Sequence, residues 1–151
     1  MTDIDIRLLK KLRKETGSGV MNCRKALKKA AGDFDKARKI LAEESAAIAA
    51  KKEDRETKAG LIEVYLHNNG QIGAMVKLTC ETDFVARNKE FKKLAHELAM
   101  QVAAMAPISP EDLLAQDYIR DPEKKVKDLV KETIGKLKEN IQVDKIARLE
   151  A

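Results

Sequence analysis

In the stretch Gly60-Leu61-Ile62-Glu63-Val64-Tyr65-Leu66-His67-Asn68-Asn69-Gly70-Gln71-Ile72-Gly73-Ala74-Met75-Val76-Lys77-Leu78-Thr79-Cys80 the apolar period changes from that of a helix to two. Ile62, Val64 and Leu66 alternate with Glu63, Tyr65 and His67, and Ile72, Ala74, Val76, Leu78 and Cys80 make a second alternating run. Successive side chains of a strand point to opposite faces, so each run reads as a strand with one apolar side. Asn69-Gly70 suits the positive φ values of a type I′ turn, which predicts an antiparallel hairpin with one apolar face. That hairpin excludes the all-helical fold toward which 36% charged residues, 3% aromatics and three prolines would otherwise point.

Downstream, Lys89 to Ala106 carries Phe91, Leu94, Ala95, Leu98, Val102 and Met105 on one helical stripe, with Asn88 as its cap. Pro107 and Pro110 stop it, leaving room for a short helical turn around Leu113 and Leu114. Asp121-Pro122-Glu123 reads as the start of a further helix with Val126, Leu129, Val130, Ile134 and Leu137 at helical spacing and Gly135 as a weak point inside. Ile141 and Val143 then alternate while Ile146 falls out of phase, which predicts a third strand with a bulge near Lys145.

Upstream, three short helices are expected. Thr2 or Asp3 caps the first, with Ile4, Leu8, Leu9 and Leu12 on one face, and Thr16-Gly17-Ser18-Gly19 ends it. Val20, Cys23, Ala26, Leu27 and Ala30 line the second, which closes at Gly32. Asp33 caps a third that Ser45 to Ala50 can prolong, and Lys51 to Glu56 reads as a solvated linker. The fold expected is α+β: an N-terminal three-helix bundle over residues 1–54, then a core over residues 55–151 in which a three-stranded antiparallel sheet packs with helices.

A chain of 151 residues with 44% hydrophobic content builds one or two small cores, not a large multi-domain enzyme. No run reaches the length of a membrane span, and Met1-Thr2-Asp3-Ile4-Asp5 lacks the order of a secretory signal, so a cytoplasmic protein is expected. Cys23 and Cys80 have neither metal-ligand nor disulfide-framework spacing and read as core thiols. Residues 1–54 hold 14 Lys/Arg against 9 Asp/Glu, and residues 55–151 hold 16 of each, so the net charge of +5 lies in the first third. A basic module is steered toward an acidic protein surface or toward nucleic acid, and charge does not choose between them.

Little supports an enzyme. His67 and His96 have no neighbour at metal spacing and read as surface residues, and Gly17-Ser18-Gly19 lacks the Lys and Ser/Thr of a phosphate loop. Arg24, Lys25, Lys28 and Lys29 read as a solvated helix face without the aromatics that stack bases. Thr82-Asp83-Phe84-Val85 allows two readings. Thr82 can cap a helical turn, Asp83 can favour its positive end and Phe84 can fill the core, or Phe84 can protrude as an apolar anchor for a partner.

The run Leu12-Arg13-Lys14-Glu15-Thr16-Gly17-Ser18-Gly19-Val20-Met21-Asn22-Cys23-Arg24-Lys25-Ala26-Leu27, together with Thr82-Asp83-Phe84-Val85-Ala86-Arg87, resembles the elongation factor Ts family. The resemblance covers residues 3–106 well, is weaker over 124–150, including Glu139-Asn140-Ile141, and is absent around 107–122. It implies a guanine-nucleotide exchange factor for elongation factor Tu, with a ubiquitin-associated-like N-terminal domain and no catalytic residues, cofactor or metal of its own. It also implies that Thr82, Asp83, Phe84 and Val85 enter the GTPase and dislocate its magnesium ion. Arg13, Val20 and Met21 match positions that contact the partner's nucleotide-binding domain, although the family often has a second Met where Val20 stands. Longer members continue with a second similar core half, so a homodimer supplying that half is expected here. The rival readings are a basic RNA- or ribosome-associated helical module and a ubiquitin-type binding module.

Overall fold

The computed structural model describes residues 3–151. Helices α1 (Ile6–Thr16), α2 (Val20–Lys29) and α3 (Phe34–Lys52) come first. The cap of α1 is Asp5, whose carboxylate accepts the Arg7 N–H at 2.8 Å; Asp3 is not the cap, and Thr2 lies outside the described residues. Asp5 sits immediately before the first helical residue, where its side chain reaches an N–H that the helix leaves without a partner. Gly17 ends α1 at φ 65° and Asp33 caps α3 through the Lys36 N–H, both at positions marked by the sequence. Leu12, Cys23, Ala26, Leu27, Ala37 and Leu41 bury together as the core of this bundle.

Strands β1 (Ala59–His67) and β2 (Ile72–Cys80) form the expected hairpin, but its loop is not a two-residue type I′ turn. It spans Asn68 to Gln71, with Asn68, Asn69 and Gly70 all at positive φ. The loop sets a register that overturns the single apolar face. Ile62 pairs with Lys77, Val64 with Met75 and Leu66 with Gly73. Paired residues share a face, so the apolar set of β1 lies on the side opposite Ala74, Val76, Leu78 and Cys80. The inner face is buried under helices, and Ile62, Val64 and Leu66 stand exposed on the outer one.

The short α4 (Asp83–Ala86) follows, then α5 (Lys89–Met105), capped by Asn88 through the Glu90 N–H as expected, and α6 (Pro110–Ala115), capped by Ser109. Asp121-Pro122-Glu123 does not begin a helix. Residues Asp121–Lys125 are a strand, β4, paired with β3 (Asp117–Tyr118), and the helix α7 (Val126–Leu137) starts after it. Long-range bonds hold the ribbon: Val126 N–H donates to Gln116 O at 2.9 Å, and Ile119 N–H donates to Gln101 Oε1 at 3.1 Å. Strand β5 (Ile141–Glu150) completes the sheet in the order β1-β2-β5, with all neighbours antiparallel. Its register shifts so that Asp144, beside Lys145, is the extra residue, close to the expected bulge.

The main core joins the inner face of the sheet to α5 and α7 through Val76, Leu78, Phe91, Leu98, Val102, Val126 and Ile134. Ala49 and Ile48, near the end of α3, pack into it as well. Helix α3 therefore contributes Ala37 and Leu41 to the first core and Ala49 to the second. Among the described residues, no helix is long and apolar enough to cross a membrane.

Candidate functional site

Strand β2 hands over to α4 through Glu81 and Thr82. The Thr82 hydroxyl accepts the Val85 N–H at 3.4 Å, so the capping role read for this residue is present. Val85 tucks partly against the core and Ala86 is buried. Phe84 does not fill the core. It is 88% exposed, which decides between the two readings of its ring in favour of protrusion. A four-residue helix with only Val85 and Ala86 turned inward leaves Asp83 and Phe84 facing solvent.

A carboxylate from far along the chain holds this handover. Glu139 Oε1 accepts the N–H groups of Glu81 at 3.1 Å and Thr82 at 2.9 Å, and Glu139 Oε2 accepts the Thr82 hydroxyl at 2.7 Å. In return, Glu81 Oε1 accepts the Asn140 N–H at 2.8 Å. The Asn140 amide donates to the carbonyls of Glu53 at 3.3 Å and Arg55 at 2.7 Å, fastening the turn after α3 to the same place. Cys80, fully buried, donates its S–H to Thr82 O at 3.2 Å. Burial first, and the Glu139 carboxylate second, push the Cys80 thiol up to about 11, so it remains a neutral donor.

Arg13, Val20 and Met21 lie at the end of α1 and the start of α2, all exposed; Met21 is 60% exposed. Buried Cys23 lies beneath the intervening loop and donates to Ser18 O at 3.6 Å. The last turn of α7 connects the loop to the Thr82 segment. The Lys136 ammonium lies over Gly17, where a β-carbon would meet it at 2.6 Å, and stands 3.8 Å from the Glu90 carboxylate at the start of α5. Three residues further on, Glu139 holds Thr82. The C-terminal end of α7 thus lies beside Gly17 on one side and leads into Glu139, which holds Thr82, on the other.

The sequence reading assigned no role to Glu139, Asn140, Glu81 or Lys136. Glu81 and Glu139 are 58 residues apart, and no local pattern links them. The histidines are exposed as expected, yet they share a neighbour. Tyr65 Oη lies 3.0 Å from His67 Nδ1, and the His96 ring meets Tyr65 edge-on at 5.8 Å between centroids. Among the described residues, no group of three or more His, Cys, Asp or Glu is placed to hold a metal ion.

Comparison with known proteins supplies a family. Residues 81–151 match the family described as Elongation factor TS, and residues 2–49 match that described as Elongation factor Ts, mitochondrial, N-terminal. Elongation factor Ts of Thermotoga petrophila and that of Thermotoga maritima are each 41% identical to this chain, over 98% of it and 96% of their own length. Elongation factor Ts of Thermoanaerobacter sp. strain X514 is 41% identical over 97% of this chain and 94% of its own. The chain thus spans nearly all of each relative.

Proposed function

The chain belongs to the elongation factor Ts family, and from that premise we propose that it is a guanine-nucleotide exchange factor that speeds GDP release from elongation factor Tu by dislocating the GTPase's magnesium ion. The observation that carries this mechanism is the exposed ring of Phe84 on a backbone fixed at Thr82. An aromatic ring left in water gains about 1.5–3 kcal/mol when a partner buries it, so it is a wedge whose favourable energy is realised only in the complex. Asp83, beside it and also exposed, carries a charge able to compete for the hydrogen bonds around the metal.

Magnesium ties nucleotide phosphates to a GTPase through oxygen ligands, and moving those ligands weakens nucleotide binding without covalent chemistry. The factor therefore acts by binding the nucleotide-free GTPase more tightly than the GDP-bound form. Linkage makes the effect reciprocal: GDP weakens the factor's binding as much as the factor weakens that of GDP. Arg13, Val20 and Met21 dock on the partner's nucleotide-binding domain while Thr82 to Val85 reach the metal. No cofactor enters this scheme, and the cytoplasm is where it operates.

The chain also forms a homodimer through the outer face of its sheet. Ile62, Val64, Leu66, Met75 and Leu149 are exposed there, and the register sets Val64 beside Met75, Met75 beside Ala147 and Gly73 beside Leu149. Such a contiguous apolar sheet face is suited to packing on its own copy about a twofold axis. Sedimentation showing only monomers while exchange remained fully active would remove the dimer from the scheme. The main assignment is tested by following release of a fluorescent GDP analogue from elongation factor Tu. Release should accelerate with this chain, and an unchanged rate at saturating protein defeats the assignment.

A further inference from the structure

We propose that Glu139 is a positioning residue for nucleotide exchange, its carboxylate setting where Phe84 stands; this rests on the exchange reading above. Phe84 has almost no packing of its own to fix it, so its location must come from the backbone on either side. On the N-terminal side the Cys80 thiol donates to the Thr82 carbonyl, and a single carboxylate accepts the N–H groups. One Glu139 oxygen takes both successive main-chain N–H groups, of Glu81 and Thr82, and the other takes the Thr82 hydroxyl.

The hydroxyl bond has a second consequence. A threonine hydroxyl carries one hydrogen and two lone pairs. With its hydrogen given to Glu139 at 2.7 Å, its lone pairs are left to accept the Val85 N–H at 3.4 Å. The carboxylate thereby orients the rotor that caps α4. Phe84 lies between two fixed points: Thr82, which Glu139 holds directly, and Val85, which packs partly against the core and whose N–H is capped by the hydroxyl that Glu139 orients. The counter-bond from Asn140 N–H to Glu81 Oε1 keeps Glu139 itself in register, because the next residue is pinned to the strand it serves. An anchor held in its bound placement before the partner arrives avoids the cost of ordering it on binding.

The three bonds also predict which replacement is tolerated. Glutamine keeps one oxygen for the two N–H groups and turns its amide NH2 toward Thr82, whose hydroxyl can accept an N–H from it. Alanine removes all three acceptors. A residue that merely stabilised the fold would lower exchange in proportion to unfolded protein and independently of Phe84. A residue that acts by placing Phe84 has nothing left to do once that ring is gone.

The test is release of a fluorescent GDP analogue from elongation factor Tu by the full chain, beside thermal melts. The proteins are wild type, Glu139→Gln, Glu139→Ala, Phe84→Ala and the double variant Glu139→Ala/Phe84→Ala. Glu139→Ala should slow release about 10-fold or more while folded, since bonds to a charged group are lost, and Glu139→Gln should stay within about threefold of wild type. The double variant should differ from Phe84→Ala by less than about twofold. A folded Glu139→Ala that exchanges like wild type overturns the proposal, as do losses that simply multiply in the double variant. If Glu139→Ala does not fold, Glu139→Asp, its carboxylate drawn back by one methylene, takes its place in the cycle under the same criterion. No acceleration by wild type overturns the exchange reading and this proposal with it, whereas an active wild type with multiplying losses overturns this proposal alone.

Discussion

Gly135 of α7 lies so close to Ser45 of α3 that a β-carbon on the glycine would sit 2.5 Å from Ser45 Oγ and 3.1 Å from Ser45 Cα. Helix α3 carries the N-terminal bundle, and the last turn of α7 carries Lys136 to Gly17, with Glu139 following two residues past its end at the Thr82 segment. The absence of a side chain at Gly135 is what lets these helices approach. Gly135→Ala should therefore destabilise the chain by about 1–3 kcal/mol, although alanine is the better helix former. A melting temperature equal to or above that of wild type would show that the contact relaxes freely.

Phe84→Ala should separate folding from exchange. The ring is 88% exposed, so its removal leaves no cavity, and the melting temperature should move by less than about 2 °C. Release of GDP from the partner should slow by at least about 10-fold, the loss expected of an interface anchor. A variant that melts early while its folded fraction exchanges normally would return Phe84 to a purely structural role.

For Asp83, the discriminating change is Asp83→Asn, which keeps the shape and removes the charge. If the charge disturbs hydrogen bonds around the partner's magnesium, exchange should fall with stability unchanged. The defect should shrink in excess chelator, where the ligand contacts are already gone. A role confined to the start of α4 would instead cost about 0.3–1 kcal/mol of stability, with exchange lowered only in step. A defect of equal size with and without magnesium assigns Asp83 to binding and leaves Phe84 as the wedge.

Arg13 is exposed at the end of α1, in the third of the chain that carries the net positive charge. Arg13→Ala should slow association with the GTPase, more strongly at low salt, because screening weakens steering. Stopped-flow association across ionic strengths measures this, and equal rates for the two proteins would exclude Arg13 from docking.

Stability should fall on the alkaline side. Cys80, ordinarily at 9.0, is pushed up to about 11 by burial and by Glu139. Below about pH 9 the thiol is protonated folded and unfolded, and its contribution is whole. As the pH rises toward 11, the unfolded chain releases the proton while the folded one keeps it, so stability drops by at most about 1.4 kcal/mol per pH unit. Burial and the Glu97 hydrogen bond raise the Tyr118 hydroxyl in the same direction. Melts of Cys80→Ala should show a shallower decline over this window; an identical decline would place its origin elsewhere.

The sequence by itself determined the elements whose causes are local. Asp33 and Asn88 cap α3 and α5 because a side chain at the helix start reaches an N–H two or three residues on. The apolar stripe of α5, apart from Met105, which is half exposed at the helix end, and the bulge in β5 were legible because a period, or its interruption, is written in consecutive residues. The motif Thr82 to Val85 was also legible, but not the direction of its ring. Only the tertiary structure decided that Phe84 projects into solvent, because this depends on which of the four residues the core has room to receive. Only the register decided that Ile62, Val64 and Leu66 face away from Val76 and Leu78. Alternation fixes which residues of one strand share a face, whereas pairing fixes which face of the next strand joins them, and shifting that pairing by one residue exchanges the two. Glu139 and Gly135 mattered for the same reason: their partners, Thr82 and Ser45, are distant in sequence, and only the packed chain brings them within reach.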